Sequence, residues 1–199
     1  MIFKAIEFAA RAHAGQYRKG TYIPYICHLM NVCQILGIYK CSKEVMTAGI
    51  LHDVLEDTPT TIADLEKAFG RAVTDMVVGA SEPDQVAGKK FKAFTWKKRK
   101  THTLEYLANS ASSDILMISC ADKLDNIRSI GRDYRELGEK VWFRFNAGRS
   151  QQEWYYTSLA KIFTARAVNE GTSLRALSAI FFDEVQDCFK ISANKKDPR

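Results

Sequence analysis

Three segments contain residues whose types and spacing suit holding a divalent metal ion. The richest is Leu51-His52-Asp53-Val54-Leu55-Glu56-Asp57-Thr58. His52 and Asp53 are adjacent and offer one imidazole nitrogen and one carboxylate oxygen. Borderline and harder divalent metals accept that mixture. Glu56 lies four residues after His52 and three after Asp53, so at helical spacing it projects from the same face one turn on. There it can serve a water beside the ion without being a ligand, and Asp57 follows it. Alone, the dipeptide is a weak signal and reads first as a capped helix end with solvated carboxylates. His28, in Pro24-Tyr25-Ile26-Cys27-His28, sits early on an apolar helix. Asp122, in Cys120-Ala121-Asp122-Lys123-Leu124-Asp125-Asn126, closes another apolar stretch. Separately these would be a core histidine and a salt-bridge acid. Together they give the order H…HD…D on apolar helices, where acids and histidines are costly unless paired or coordinated. A metal gives all four a shared reason to be there.

The elements that must position them read as helices. Ile2 to Ala14 has apolar residues at Ile2, Ala5, Ile6, Ala9 and Ala10. Gly15 to Pro24 is a loop. Tyr25 to Leu36 forms a second helix stopped by Gly37. Ser42 caps a third that runs through Leu55 to Thr58-Pro59. Thr61 caps Ile62 to Phe69, closed by Gly70, and a fifth helix reaches Ala80. Ser81 to Phe94 reads as an exposed, mobile loop. Thr95 caps a helix through Leu107, and Ser112 or Ser113 caps one through Ile130. Ile115 to Cys120 alone also fits a buried strand, but no partner strands accompany it. Glu139 to Arg166, broken near Gly148, and Ser173 to Ile191 complete the set. The expectation is an all-α single-domain helical bundle over residues 1–191, with a disordered tail over 192–199.

Composition bounds the rest. The chain has 199 residues, 46% hydrophobic and 26% charged, which suits one soluble domain. No apolar run approaches the roughly 20 residues of a membrane span, and the N-terminus lacks signal-peptide organisation. A cytoplasmic location without a membrane partner is expected. Five cysteines without a CxxC argue against a disulfide framework or zinc ribbon, leaving reduced and mostly buried thiols. The net charge of +6 is concentrated in Lys89, Lys90, Lys92, Lys97, Lys98, Arg99 and Lys100, with Lys195-Lys196 as a second cluster. Nucleic acid, a membrane surface or a small polyanion would each account for this excess, and charge alone does not choose among them. No helix-turn-helix or zinc-finger pattern supports nucleic acid as the partner, and a homo-oligomer remains open.

The order H…HD…D resembles the HD superfamily signature. The finer resemblance is to the hydrolase domain of RelA/SpoT proteins and to small stand-alone alarmone hydrolases, including the metazoan SpoT homologue. It rests on His13-Ala14-Gly15-Gln16-Tyr17-Arg18-Lys19, Pro24 to His28, His52 to Thr58, and Ala121 to Asn126. Phe69-Gly70 and Trp96 to Lys100 add to it. The likeness runs from about residue 3 to at least residue 130, with a weaker extension through Trp154-Tyr155-Tyr156. Two departures stand out. The loop from Arg18 to His28 is about one residue longer than in common bacterial relatives, and Leu29 replaces the usual proline.

This resemblance implies an HD-domain helical bundle with one Mn²⁺ held by His28, His52, Asp53 and Asp122. It implies hydrolysis of the 3′-diphosphate of ppGpp or pppGpp to GDP or GTP plus pyrophosphate. Glu56 and Asp57 would be the catalytic acids, and Arg18, Lys19, Asn126 and Ser129 would meet the nucleotide. From the basic cluster, Arg99 is the preferred further contact. His13 is expected to fix the loop's shape and His102 to be structural or exposed. Trp154, Tyr155 and Tyr156 are expected in the core, with one tyrosine walling the pocket. By family analogy, such an enzyme also suits an antitoxin role against a toxic alarmone synthetase. The ligand types by themselves also admit Fe²⁺, Co²⁺, Ni²⁺ or Zn²⁺. Alternatives are an HD phosphohydrolase for another nucleotide, such as NADPH or a dNTP, and a non-catalytic HD binding module.

Overall fold

The computed structural model describes residues 1–81 and 96–194, with side chains to residue 190. The expected loop over residues 82–94 and the Thr95 cap lie outside the described residues. The described elements are helices: α1 (Ile2–Ala12), α2 (Ile26–Ile38), α3 (Lys43–Leu51), α4 (Val54–Asp57), α5 (Ile62–Phe69) and α6 (Arg71–Ala80). After the gap come α7 (Trp96–Asn109), α8 (Ser113–Leu137), a 3₁₀ segment (Gly138–Arg144), α9 (Arg149–Ala167) and α10 (Thr172–Asn194). The all-α expectation holds. No helix among the described residues is long and apolar enough to cross a membrane.

Several helix ends follow local chemistry. The Ser42 and Ser112 side chains accept from the backbone N–H three residues on. Thr61 and Asp64 form a reciprocal capping box, and Gly70 ends α5 at φ 82°. The break near Gly148 is present, with the 3₁₀ segment before it. Other boundaries differ. α2 runs through Gly37 to Ile38, because tertiary packing outweighs one glycine's weak propensity. α8 continues past Ile130 to Leu137, burying Ile127, Ile130 and Tyr134 at helical spacing. The expected third helix is not continuous: it breaks at His52-Asp53 before the four residues of α4. α10 reaches Asn194, so the expected tail begins as helix; residues 195–199 lie outside the described residues.

The long helix α8 is the centre of the bundle. It packs against α2, α3, α6, α10 and the 3₁₀ segment, and α9 packs on α10 and α7. Leu116, Ile118, Leu124 and Ile127 make its apolar side, alongside Leu29, Leu36, Ile50 and Leu51. Three of the five cysteines, Cys33, Cys120 and Cys188, are buried; none of the five is in a disulfide, and Cys27 is exposed.

The fit of α2 to α3 decides how near His28 comes to His52. Gly49 of α3 faces Leu36 and Val32 of α2, and a Cβ there would overlap Leu36 Cδ1. Leu36 is fully buried, so its side chain cannot swing out to solvent without losing core contacts. Overpacking of this kind costs about 1–3 kcal/mol. Gly49→Ala is therefore expected to lower stability by that amount. A chemical-denaturation midpoint that falls with an unchanged slope would register it.

Candidate active site

Helices α2 and α8 and the break between α3 and α4 bring the sequence-predicted ligand residues to one point. His28 projects from the first turn of α2, and Asp122 from the middle of α8. In an unbroken helix, successive side chains point about 100° apart. At the break His52 has φ −57° and ψ −30°, and Asp53 has φ −98° and ψ −3°. This turn lets both neighbours face inward. His28 Nε2 lies 3.2 Å from Asp122 Oδ1 and 3.8 Å from Asp53 Oδ2. His52 Nε2 lies 3.0 Å from Asp53 Oδ2 and 3.6 Å from Asp122 Oδ1. His28, His52 and Asp53 offer ligand atoms all within 4.8 Å of one another.

The hydrogen bonds behind these atoms define their chemistry. His28 Nδ1 donates to Asp125 Oδ2 at 2.6 Å, and His52 Nδ1 donates to the Gly49 carbonyl at 2.8 Å. With Nδ1 committed as the donor, a neutral ring turns its Nε2 lone pair into the site. Both Nε2 atoms are buried without a hydrogen-bond partner. Two lone pairs thus meet two carboxylate oxygens, a set of acceptors that calls for a positive charge. The titration directions agree. Burial disfavours charged His52, but Asp53 and Asp122 outweigh it and hold the imidazole well above its usual pKa. Burial also opposes ionised Asp122, yet Lys123 and the two histidines keep it well below the carboxylate range. Asp53 is lowered against burial, chiefly by His52. A divalent cation with nitrogen and oxygen ligands fits this donor set.

Neighbouring side chains complete the carboxylates. The Tyr25 hydroxyl donates to Asp53 Oδ2 at 2.6 Å. Burial and then Asp53 raise the Tyr25 pKa, keeping the phenol protonated. Lys123 Nζ donates to Asp122 Oδ2 at 2.6 Å, and Asn126 Nδ2 donates to Asp122 Oδ1 at 2.5 Å. Arg18 donates to Asn126 Oδ1 at 2.8 Å. His13 Nδ1 donates to Gln16 Oε1, and Gln16 Nε2 donates to the Asp57 carbonyl. His13 is thereby a loop-shaping residue and stands outside the ligand cluster.

Two adjoining cavities open beside the cluster. The inner one, about 190 Å³, is lined by Asp53, Glu56, Asp57 and Asp122 among others. The outer one, about 300 Å³, holds Arg18, Lys19, Ser129, Arg144, Tyr155 and Tyr156. Tyr25, Lys100, Lys123, Asn126 and Tyr155 line both. Asp53, Glu56, Asp57 and Asp122 therefore line the inner part, and cations predominate in the outer part, where Asp133 pairs with Arg144. Arg99 is not among the lining residues of either cavity; its neighbour Lys100 takes that place, because the face of α7 turned inward carries Trp96, Lys100 and Thr103. His102 is exposed. Tyr155 and Tyr156 are both buried and both wall the outer cavity.

Sequence reasoning missed Tyr25, Lys123 and Asp125 as parts of this arrangement. Helical spacing held the signal: Tyr25 lies three residues before His28, and Asp125 three after Asp122. Lys123 has no such signal, since adjacent helical positions diverge.

The HD domain family profile matches residues 5–152. The chain is 35% identical over 132 residues to guanosine-3′,5′-bis(diphosphate) 3′-pyrophosphohydrolase MESH1 of Drosophila melanogaster, covering 65% of this chain and 69% of that one. It is also 35% identical over 128 residues to the bifunctional (p)ppGpp synthase/hydrolase SpoT of Escherichia coli K12, covering 64% of this chain and 18% of that protein. The chain spans about a fifth of the length of such larger relatives. In structure it resembles a metazoan ortholog of SpoT that hydrolyzes ppGpp and plays a role in starvation responses. The TM-score is 0.68 at 26% identity, covering 96% of this chain and 94% of that one. It also resembles lmo0812 of Listeria monocytogenes EGD-e, with TM-score 0.67 at 30% identity, covering 86% and 97%. Profile, sequence and fold agree on one conclusion: the chain belongs to the HD-domain family.

Proposed function

We propose that the chain is a metal-dependent pyrophosphohydrolase that removes the 3′-diphosphate of ppGpp or pppGpp. The observation that carries this reading is the pairing of the His28, His52, Asp53 and Asp122 cluster with a cavity lined by Arg18, Lys19, Lys100 and Lys123. A polyanion carrying phosphate on both sides of a sugar suits such a divided site. The names of the relatives support the substrate.

His28, His52, Asp53 and Asp122 would hold the ion, proposed to be Mn²⁺. When bound, it would polarise a phosphoryl oxygen and make water more acidic. Glu56 would orient the attacking water and take its proton. The water oxygen forms a bond to the phosphorus attached to the ribose 3′-oxygen, and that P–O bond breaks. The 3′-oxygen leaves with a proton from Asp57, so water is divided between pyrophosphate and GDP or GTP. Two adjacent carboxylates suit this division, because one is more readily kept protonated beside the other. Arg18, Lys19, Lys100 and Lys123 would offset the phosphate charge that repels an incoming nucleophile. Asn126 and Ser129 would position the nucleotide, and Tyr155 and Tyr156 would offer it aromatic walls.

Chelation is expected to abolish ppGpp hydrolysis, with Mn²⁺ restoring it best among individually re-supplied metals. Pyrophosphate release measured across ppGpp, pppGpp, NADPH and dNTPs tests the substrate; turnover of another nucleotide with ppGpp untouched would sink the reading. Glu56→Gln should lower kcat by about 10²–10⁴-fold while retaining the metal. His52→Ala should lose the metal as well. Metal content and steady-state rates of the two variants separate these roles.

A further inference from the structure

We infer that Asp125 is a positioning residue for the metal, acting through His28. It rests on the proposed metal site and concerns how this chain tunes it. The His28 ring is buried, its Nδ1 donates to Asp125 Oδ2 at 2.6 Å, and its partnerless Nε2 faces Asp53 and Asp122. A carboxylate behind an imidazole fixes the ring's tautomer and rotation and makes the opposite nitrogen a stronger electron donor.

Asp125 is itself held in place. Asn31 Nδ2 donates to its Oδ1 at 2.9 Å, from one turn further along the same helix α2. The Arg18 guanidinium stands 4.0 Å from its Oδ2. Each oxygen therefore has an assigned partner, and the carboxylate cannot rotate without giving up one of them. Helical spacing explains the arrangement: Asp122 and Asp125 lie three residues apart on α8, so one helix face supplies both a proposed ligand and the support of another. Asp125 also borders Arg18, which reaches Asn126 and through it Asp122. The phosphate-facing arginine and the ligand histidine thus share one carboxylate.

The charge of Asp125 and its acceptor atom have separable effects. Asp125→Asn keeps a similar shape and removes the charge; Asp125→Ala removes both. Mn²⁺ titrated into the full chain, with free ion read from its six-line electron paramagnetic resonance signal, gives the affinity directly. Both variants are expected to bind Mn²⁺ about 10–100-fold more weakly than the wild type. Asn31→Ala should move affinity in the same direction by less. Hydrolysis by Asp125→Asn should be deficient at limiting Mn²⁺ and recover as Mn²⁺ is raised, because the defect lies in occupancy. Unchanged Mn²⁺ affinity in a folded Asp125→Asn variant overturns the inference, as does lost activity that saturating Mn²⁺ leaves unrepaired. Thermal melting checks folding; should Asp125→Ala fail to fold, the near-isosteric Asp125→Asn still decides. The affinity measurement uses no nucleotide. Wild type that binds Mn²⁺ through Asp125 but spares ppGpp would therefore overturn the proposed substrate and leave this inference standing.

Discussion

Two carboxylates and two imidazole lone pairs buried against one another create a charge problem that the rest of the fold is arranged around. Unpaired, such groups are expensive to remove from water. The protein meets part of the cost with donors behind the acceptors: Tyr25 to Asp53, Lys123 and Asn126 to Asp122. It leaves the side facing the histidine nitrogens without a donor. A site built this way is more than a polar flaw in a core. Its outer ring is satisfied, and only its centre calls for a positive charge.

The division of the cavity follows from the same electrostatics. Asp53, Glu56, Asp57 and Asp122 gather beside the histidines, and cations predominate at the outer end, on the loop after α1 and on α7 and α8. Lys100 and Lys123 line both parts, so positive charge extends to the border of the acidic chamber. A highly anionic ligand is thus favoured along the outer wall and brought up to the acids that would otherwise repel it.

Much of this was legible in the sequence because it depended on short-range rules. The Thr61–Asp64 capping box, the Ser42 and Ser112 caps and the Gly148 break involve residues a few positions apart. The convergence of His28, His52, Asp53 and Asp122 was legible as a motif order. The break at His52-Asp53 was not, because the apolar pattern continues through Leu55 and hides the interruption. The choice of Lys100 over Arg99 depends on the rotation of α7 about its axis. Packing against α9 sets that rotation, and a basic run alone does not reveal it. Gly37 was misread for a related reason: a helix terminator in isolation is only a weak preference within a buried helix.

The bond from His28 to Asp125 joins residues 97 positions apart in the chain. Closing so large a loop is opposed by chain entropy, so the chemical centre can assemble only after the early helices have found α8. An ion recognising the completed centre would bind the folded chain and not the unfolded one. At a free concentration of about 100 times its Kd it would add about 2.7 kcal/mol to folding stability. The centre would then also be a long-range clasp, making the thermal endurance of the protein a function of metal supply.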